Sequence, residues 1–201
     1  MRGIIFIIIL IFTVVPTFAS DITVSIQPNY EFQMLSSSVL KNYYDRNVVL
    51  NFGATAIVRY NKLNVGVFVQ YMRRDFTVRD QFAMYGREEI NGSRLSFGVQ
   101  KDIPMKKNIF YGRLGMTKYY DHLAFAISDD NRIGYHAGLG FVYKLSADFQ
   151  AFIETSYDYE KLSVPMYMTY TYTRHQAYLA GKTFDTGGVC IQSGLSVSII
   201  R

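Results

Sequence analysis

The sequence predicts an all-β fold, an eight-stranded antiparallel up-and-down transmembrane β-barrel spanning residues 20–201. Three observations predict it. Period-two alternation of apolar and polar side chains recurs eight times from residue 22 onward, with Gly, Asn, Asp and Ser at the breaks. The connections between the alternating stretches are by turns short and long, the habit of a meander whose ends differ in function. The residues that alternate with the apolar ones are mostly small or uncharged, which suits a crowded interior better than a water-facing exterior.

Residues 1–19 stand apart from this pattern. Arg2 precedes an apolar run from Ile4 to Val15, followed by Pro16 and the small-residue exit ending at Ala19, so they read as a signal peptide cleaved after Ala19. The full chain of 201 residues is short enough to need only one domain. Without Arg2, the 21 Lys and Arg become 20 against 16 Asp and Glu, a net charge of +4 that is too weak to argue for nucleic acid. Cys190 is the only cysteine, so an intrachain disulfide is impossible, and three scattered His with one Cys show no metal-ligand spacing. Neither cofactor nor metal is expected.

The first strand, 22–34, turns Ile22, Val24 and Ile26 to one face. In the second, 48–60, Val48, Leu50, Phe52, Ala54, Ala56 and Val58 alternate with Asn51, Gly53 and Thr55. The third, 63–76, sets Leu63, Val65, Val67 and Val69 against Asn64, Gly66 and Gln70. The fourth, 93–102, is the weakest, with Leu95, Phe97 and Val99 against Ser96, Gly98 and Gln100. The fifth, 109–120, carries Leu114 and Met116; the sixth, 133–145, carries Ala137, Leu139 and Phe141 against Gly134, Gly138 and Gly140. The seventh, 149–160, turns Phe149, Ala151 and Ile153 outward and Glu154 inward, and the eighth, 188–200, sets Val189, Ile191, Leu195, Val197 and Ile199 against Gln192, Gly194, Ser196 and Ser198. Short links lie at Asn61–Lys62, 103–108 and 146–148; long ones span 35–47, 77–92, 121–132 and 161–187.

The apolar bands contain no charge, and a charge at the bilayer midplane would cost about 2–4 kcal/mol. Aromatic side chains gather at the band limits: Tyr60, Phe110, Tyr143 and Phe149 at the short-turn end, Tyr71, Phe76, Tyr120, Tyr157 and Tyr159 at the other, as membrane interfaces favour. Glu154 and Arg113 fall at similar heights facing inward, so they are expected to pair, because an isolated buried charge is expensive. Glu31 and Arg94, nearer the long-loop end, form a second expected pair, and side chains fill an eight-stranded lumen.

The stretches "YGRLGMTKYYD" (111–121), "IGYHAGLGFVYKLSADFQAFIETSYDYEK" (133–161) and "GGVCIQSGLSVSII" (187–200) resemble the closing half of the OmpX/Ail/Lom family of small outer-membrane barrels, within the OmpA-like superfamily. "DITVSIQPNYEFQ" (21–33) looks like that family's first strand and "NKLNVGVFVQYMRRDF" (61–76) like its second hairpin. The resemblance implies a bacterial outer-membrane location, protruding long loops and, as in several members, attachment to host cells or matrix, invasion and complement resistance. One departure is the ending Ile199, Ile200, Arg201, where family chains usually finish on an aromatic residue.

The last long connection is rich in Tyr and Met, and "MYMTYTYTRHQAY" (166–178) continues the alternation beyond the apolar band. Tyr167, Tyr170, Tyr172, Tyr178 and Arg174 make an amphipathic surface suited to recognising a host protein or glycan, or else simply extend the barrel wall. Arg73, Arg74 and Lys118, at the outer interface, are expected to contact lipopolysaccharide phosphates. Arg73, Arg74, Arg79 and Arg87 are balanced by Asp75, Asp80, Glu88 and Glu89, which argues against a plain polyanion-binding patch. The competing readings are a structural envelope barrel and a lipid A or phospholipid-modifying enzyme. For the latter, Asp121, His122, Asp158 and Glu160 lie at the outer end without a nucleophile-and-base motif, and inward-facing His136 reads as an interior polar group. The chain is thus expected to be a monomeric, non-enzymatic surface protein whose partners are membrane lipids and a host surface.

Overall fold

The structure is a computed structural model and describes residues 21–43, 47–78, 88–106, 108–120, 133–146, 148–163 and 181–200. Among them are strands β1 (Ile22–Leu35), β2 (Val48–Tyr60), β3 (Val65–Val78), β4 (Glu88–Pro104), β5 (Asn108–Tyr119), β6 (Gly134–Lys144), β7 (Phe149–Tyr159), β8 (Lys161–Ser163), β9 (Thr183–Asp185) and β10 (Gly188–Ile200), with one short helix, α1 (Ser38–Tyr43). Eight of the strands close into an antiparallel barrel in the order β1-β10-β7-β6-β5-β4-β3-β2. Closure comes from β1 pairing with β10, from Val24 opposite Ile200 to Leu35 opposite Gly188, with a register shift between Val24 and Ser25. Apart from this pair and β7–β10, between which the β8–β9 ladder intervenes in the chain, neighbouring strands are consecutive, and each barrel strand finds partners on both sides so that no open edge remains.

The faces follow the sequence's parity. Val67, Leu114, Leu139 and Leu195 are 50–65% exposed, while Thr55, Ser96, Gln70 and Gln192 are at most 1% exposed. A continuous skin of Val, Leu, Ile and aromatic side chains over the outside far exceeds the few hundred Å² of apolar patch that a soluble monomer keeps exposed. It matches a hydrocarbon surrounding, because in a closed barrel every wall N–H and C=O is paired strand to strand. Exposed Tyr60, Phe110, Tyr143 and Phe149 ring the short-turn end, and exposed Tyr71, Tyr120, Tyr157 and Tyr159 ring the other. No helix among the described residues is long and apolar enough to cross a membrane; any crossing is made by strands.

Boundaries differ from the sequence expectation in three places. Asn64 belongs to the turn before β3 and not to its inward face: its φ is 51°, its N–H bonds the Asn61 carbonyl at 3.2 Å, and its own carbonyl accepts from Asp102 N at 2.8 Å. Asn tolerates this left-handed conformation because its short polar side chain suits turns, so alternation alone put the strand two residues too early. In the same turn, exposed Lys62 donates to Asp21 Oδ2 at 2.6 Å, and that carboxylate raises the ammonium's pKa. Second, β3 and β4 climb past their neighbours, pairing as far as Val78 opposite Glu88, so part of the expected 77–92 loop is a ribbon. Third, β8 and β9 form a separate two-stranded ladder at the foot of the expected 161–187 loop.

The lumen also holds apolar side chains that a polar interior would not lead one to expect. Tyr111, Val142 and Phe152 pack together with Ile109 beside them, and Ile57, Phe68 and Met72 are likewise buried. Gly140 lies opposite Tyr111 on β6, and a Cβ built on it would overlap the Tyr111 ring. Gly140→Val should therefore force the ring aside and lower stability by about 1–3 kcal/mol, read as a drop in the urea unfolding midpoint of the detergent-refolded barrel.

Candidate functional site

The strands carry a column of buried ions up the lumen. Arg113 on β5 stands with Nη1 2.7 Å from Glu154 Oε2 on β7, and neither side chain has any exposure. These strands are separated by β6, so the contact reaches across the wall's curvature between side chains at matching height. Arg113 also donates through Nε to Gln100 Oε1 and through Nη2 to Gln27 Oε1, both at 2.8 Å, and its guanidinium lies 4.8 Å from the Tyr111 ring centre. Tyr111 OH donates to Glu154 Oε2 at 2.8 Å.

Toward the long-connection end, Arg94 on β4 grips Glu31 on β1 with two bonds, Nη2 to Oε2 at 2.6 Å and Nη1 to Oε1 at 3.0 Å. Its guanidinium also pairs with Asp158 and donates to Gln70 Oε1 at 2.9 Å. A planar fork fits two carboxylates in this way where an ammonium would not. His136 joins the two centres: Nδ1 is 2.7 Å from Asp158 Oδ1, and Nε2 is 3.6 Å from Glu154 Oε1. Sequence reasoning set out two separate pairs. The structure places them in one network whose link, His136 with Asp158, was not anticipated, because those residues sit on adjacent strands and meet only through register (His136 opposite Asp158).

Donor atoms of Glu31, Asp158 and Cys190 converge within 4.8 Å, a grouping able in principle to hold a cation. The cation there is Arg94, so the site is already satisfied. A third pair, Arg59 Nε with Asp102 Oδ2 at 2.9 Å, sits at the short-turn end and also escaped the sequence reading.

The three basic residues expected at the outer interface separate. Arg73 is outward and half exposed, 3.1 Å from Asp75 and with its guanidinium 5.7 Å from the Phe52 ring centre. Lys118 is also on the outer face, its Nζ 5.4 Å from the Tyr120 ring centre. Arg74 is fully buried in the lumen, donating to the Thr186 carbonyl at 3.2 Å and stacked 4.2 Å from the Tyr119 ring centre. Its expected lipopolysaccharide contact is therefore corrected: successive strand residues point to opposite faces, so Arg73 and Arg74 cannot both face out.

At the long-connection end the organising residue is Asp185, which the sequence did not flag. Its Oδ2 accepts from Ser36 Oγ at 2.7 Å and Tyr157 OH at 3.0 Å, and its Oδ1 from the N–H groups of Gly187 at 2.8 Å and Glu160 at 3.1 Å. One carboxylate thus ties the β8–β9 ladder to the tops of β1 and β7. Thr186 adds bonds to Glu160. Asp185→Ala should leave the barrel's unfolding midpoint within about 1 kcal/mol of wild type but speed amide hydrogen exchange across β8 and β9, since removing it orphans several donors at one exposed site. The segment this base carries, with Tyr167, Tyr170, Tyr172, Arg174 and Tyr178, lies outside the described residues, as do the signal-peptide stretch 1–19, Arg79, Arg87, Asp121 and His122.

No protein-family model matches the sequence, and no curated protein does. Among solved structures the chain is similar to the crystal structure of Neisserial surface protein A (NspA), with a TM-score of 0.54 and 13% sequence identity over 87% of this chain and 96% of that one. The likeness carries the fold: a closed eight-stranded barrel of nearly the same extent.

Proposed function

We propose that the chain is a bacterial outer-membrane barrel that works as a surface attachment protein, presenting its long connections to a host cell or matrix component. The observation that carries this reading is the filled lumen. With Arg94, Arg113, His136, Phe152 and Tyr111 packed across it, the barrel acts through what it displays and not through what it conducts. The display end is built for it: Asp185 fixes the base from which the Tyr-rich segment springs. The sequence resemblance to the OmpX/Ail/Lom group supports attachment as the purpose, and the apolar exterior with two aromatic rings supports the membrane. Arg73 and Lys118, outward near the display end, are the side chains available to lipopolysaccharide phosphates. The chain acts as a monomer, by binding and not by turnover; His136, held between two buried carboxylates, serves the scaffold.

The test is adhesion to host cells and to immobilised matrix proteins by bacteria carrying either the intact chain or one with residues 164–180 replaced by a short Gly-Ser link. Adhesion should fall to the level of bacteria lacking the chain. Unchanged adhesion by a correctly assembled, surface-exposed deletion would leave a purely structural envelope role.

A further inference from the structure

Across β4 to β7 the outer wall carries a groove of about 600 Å³ that none of the roles above uses. Three successive strands put a small side chain into it, Gly112 on β5, Ala137 on β6 and Thr155 on β7, among the taller Leu114, Leu139 and Tyr157. Gly112 has no packing reason to be glycine. A Cβ built there meets only Leu139 Cδ2 at 3.7 Å and the Gly138 carbonyl at 3.9 Å, both ordinary contacts, and its φ is not left-handed. Gly98 and Gly115, by contrast, lie so close to the neighbouring strand that a Cβ would strike a backbone carbonyl. Glycine weakens a strand interior, and where neither a bend nor a close backbone requires it, a ligand's close approach does.

Lys101 stands at the β4 end of the groove, directly opposite Gly112 and exposed on the outer face. A cation on an apolar wall is expensive unless it reaches the interface, and this one does: its Nζ donates to the Leu63 carbonyl at 2.6 Å, in the turn before β3. Two of the ammonium's three N–H donors remain for an anion. From β4 to β7 the groove crosses three strand spacings, roughly 14 Å, and climbs because barrel strands tilt, so one acyl chain crossing a leaflet about 15 Å deep fills it. Given that the apolar exterior faces hydrocarbon, we infer that this wall holds one diacyl phospholipid of the leaflet at the short-turn end. Its phosphate lies on Lys101 and one acyl chain runs over Gly112 and Ala137 toward Tyr157. Lipopolysaccharide fits less well, since its phosphates belong to the opposite rim, with Arg73 and Lys118. A second copy meeting this face across a two-fold axis would bring a second Lys101 to the same apolar seam with no counter-ion.

The experiment titrates the full chain, refolded in detergent and stripped of lipid, in turn with phosphatidylglycerol, diacylglycerol of the same chains, and lipid A. Native mass spectrometry counts the bound lipid, and the folded band on an unheated gel, read on the same samples, separates failure of the site from failure of the barrel. One phosphatidylglycerol should bind saturably, and the other two about tenfold more weakly. Gly112→Leu, which fills the groove, should weaken phosphatidylglycerol about tenfold and keep the folded band, whereas Ala54→Leu, adding the same bulk to the outer face of β2, should leave binding unchanged. Lys101→Gln should bring phosphatidylglycerol down to the level of diacylglycerol. Should Gly112→Leu fail to fold, Ala137→Leu fills the same groove and should weaken binding alike. Equal binding of the three lipids, no saturation at one lipid, indifference of the folded groove-filling variant or of Lys101→Gln, or a dimer of the chain in place of the lipid adduct overturns the proposal.

Discussion

Arg94→Leu is expected to lower the stability of the folded barrel by about 3–5 kcal/mol, the largest single effect predicted for this chain. The leucine fills much of the volume, but Glu31 and Asp158 are then left as fully buried carboxylates with their shared cation gone. The cost is the stranded charges and not lost attraction, which sets up a decisive comparison. A triple change, Arg94→Leu with Glu31→Leu and Asp158→Leu, should recover much of the loss, because apolar replacement of a whole buried ion cluster is often neutral. Arg94→Lys should fall between wild type and Arg94→Leu, keeping the charge but losing the fork that spans Glu31, Asp158 and Gln70. Urea unfolding in detergent, followed by the shift between folded and unfolded bands on an unheated gel, measures all three. Arg94→Leu unfolding like wild type would mean that the network contributes nothing to the fold.

The second large effect concerns the outside. Leu139 lies at the middle of β6 and is 60% exposed. Leu139→Lys is expected to destabilise the barrel in lipid by about 2–4 kcal/mol, the penalty for a lysine near the bilayer midplane. Water would reverse the sign, since trading an exposed leucine for lysine on a soluble surface is neutral or helpful. Refolding in phospholipid vesicles against urea reads the difference. Leu145→Lys, 57% exposed on the same face at the short-turn rim, serves as a control costing at most about 1 kcal/mol, because the penalty falls away toward the interface.

What was legible in the sequence is what period two and turn spacing encode. All eight wall strands and the inward or outward sense of their residues follow from parity, and the alternation of short and long connections gives the meander before any pairing is known. Runs such as Val67-Phe68-Val69 were harder, because the pattern shows only apolar residues while the pleat sends Phe68 into the lumen beneath Arg113. The Arg73-Arg74 pair was misread for the same reason: charge drew the eye past parity. Contacts between distant strands need relative heights around a closed wall. Rough counting from the turns put Glu154 level with Arg113, but the link through His136 and Asp158, the Arg59–Asp102 pair and the Asp185 anchor depend on register that no local pattern records. The Tyr and Arg of the last long connection are visible only as composition, since residues 164–180 lie outside the described ones.

The account rests on which apolar side chains meet hydrocarbon, and photolabelling the vesicle-embedded chain with a phospholipid carrying a diazirine in its acyl chain asks that directly. Peptide mapping should find adducts on Val67, Leu114, Leu139 and Leu195 and none on Ile57, Phe68, Val142 or Phe152, side chains of the same chemistry but opposite facing. Labelling of the second set in place of the first, or of both alike, would contradict a barrel that turns its apolar face to the membrane.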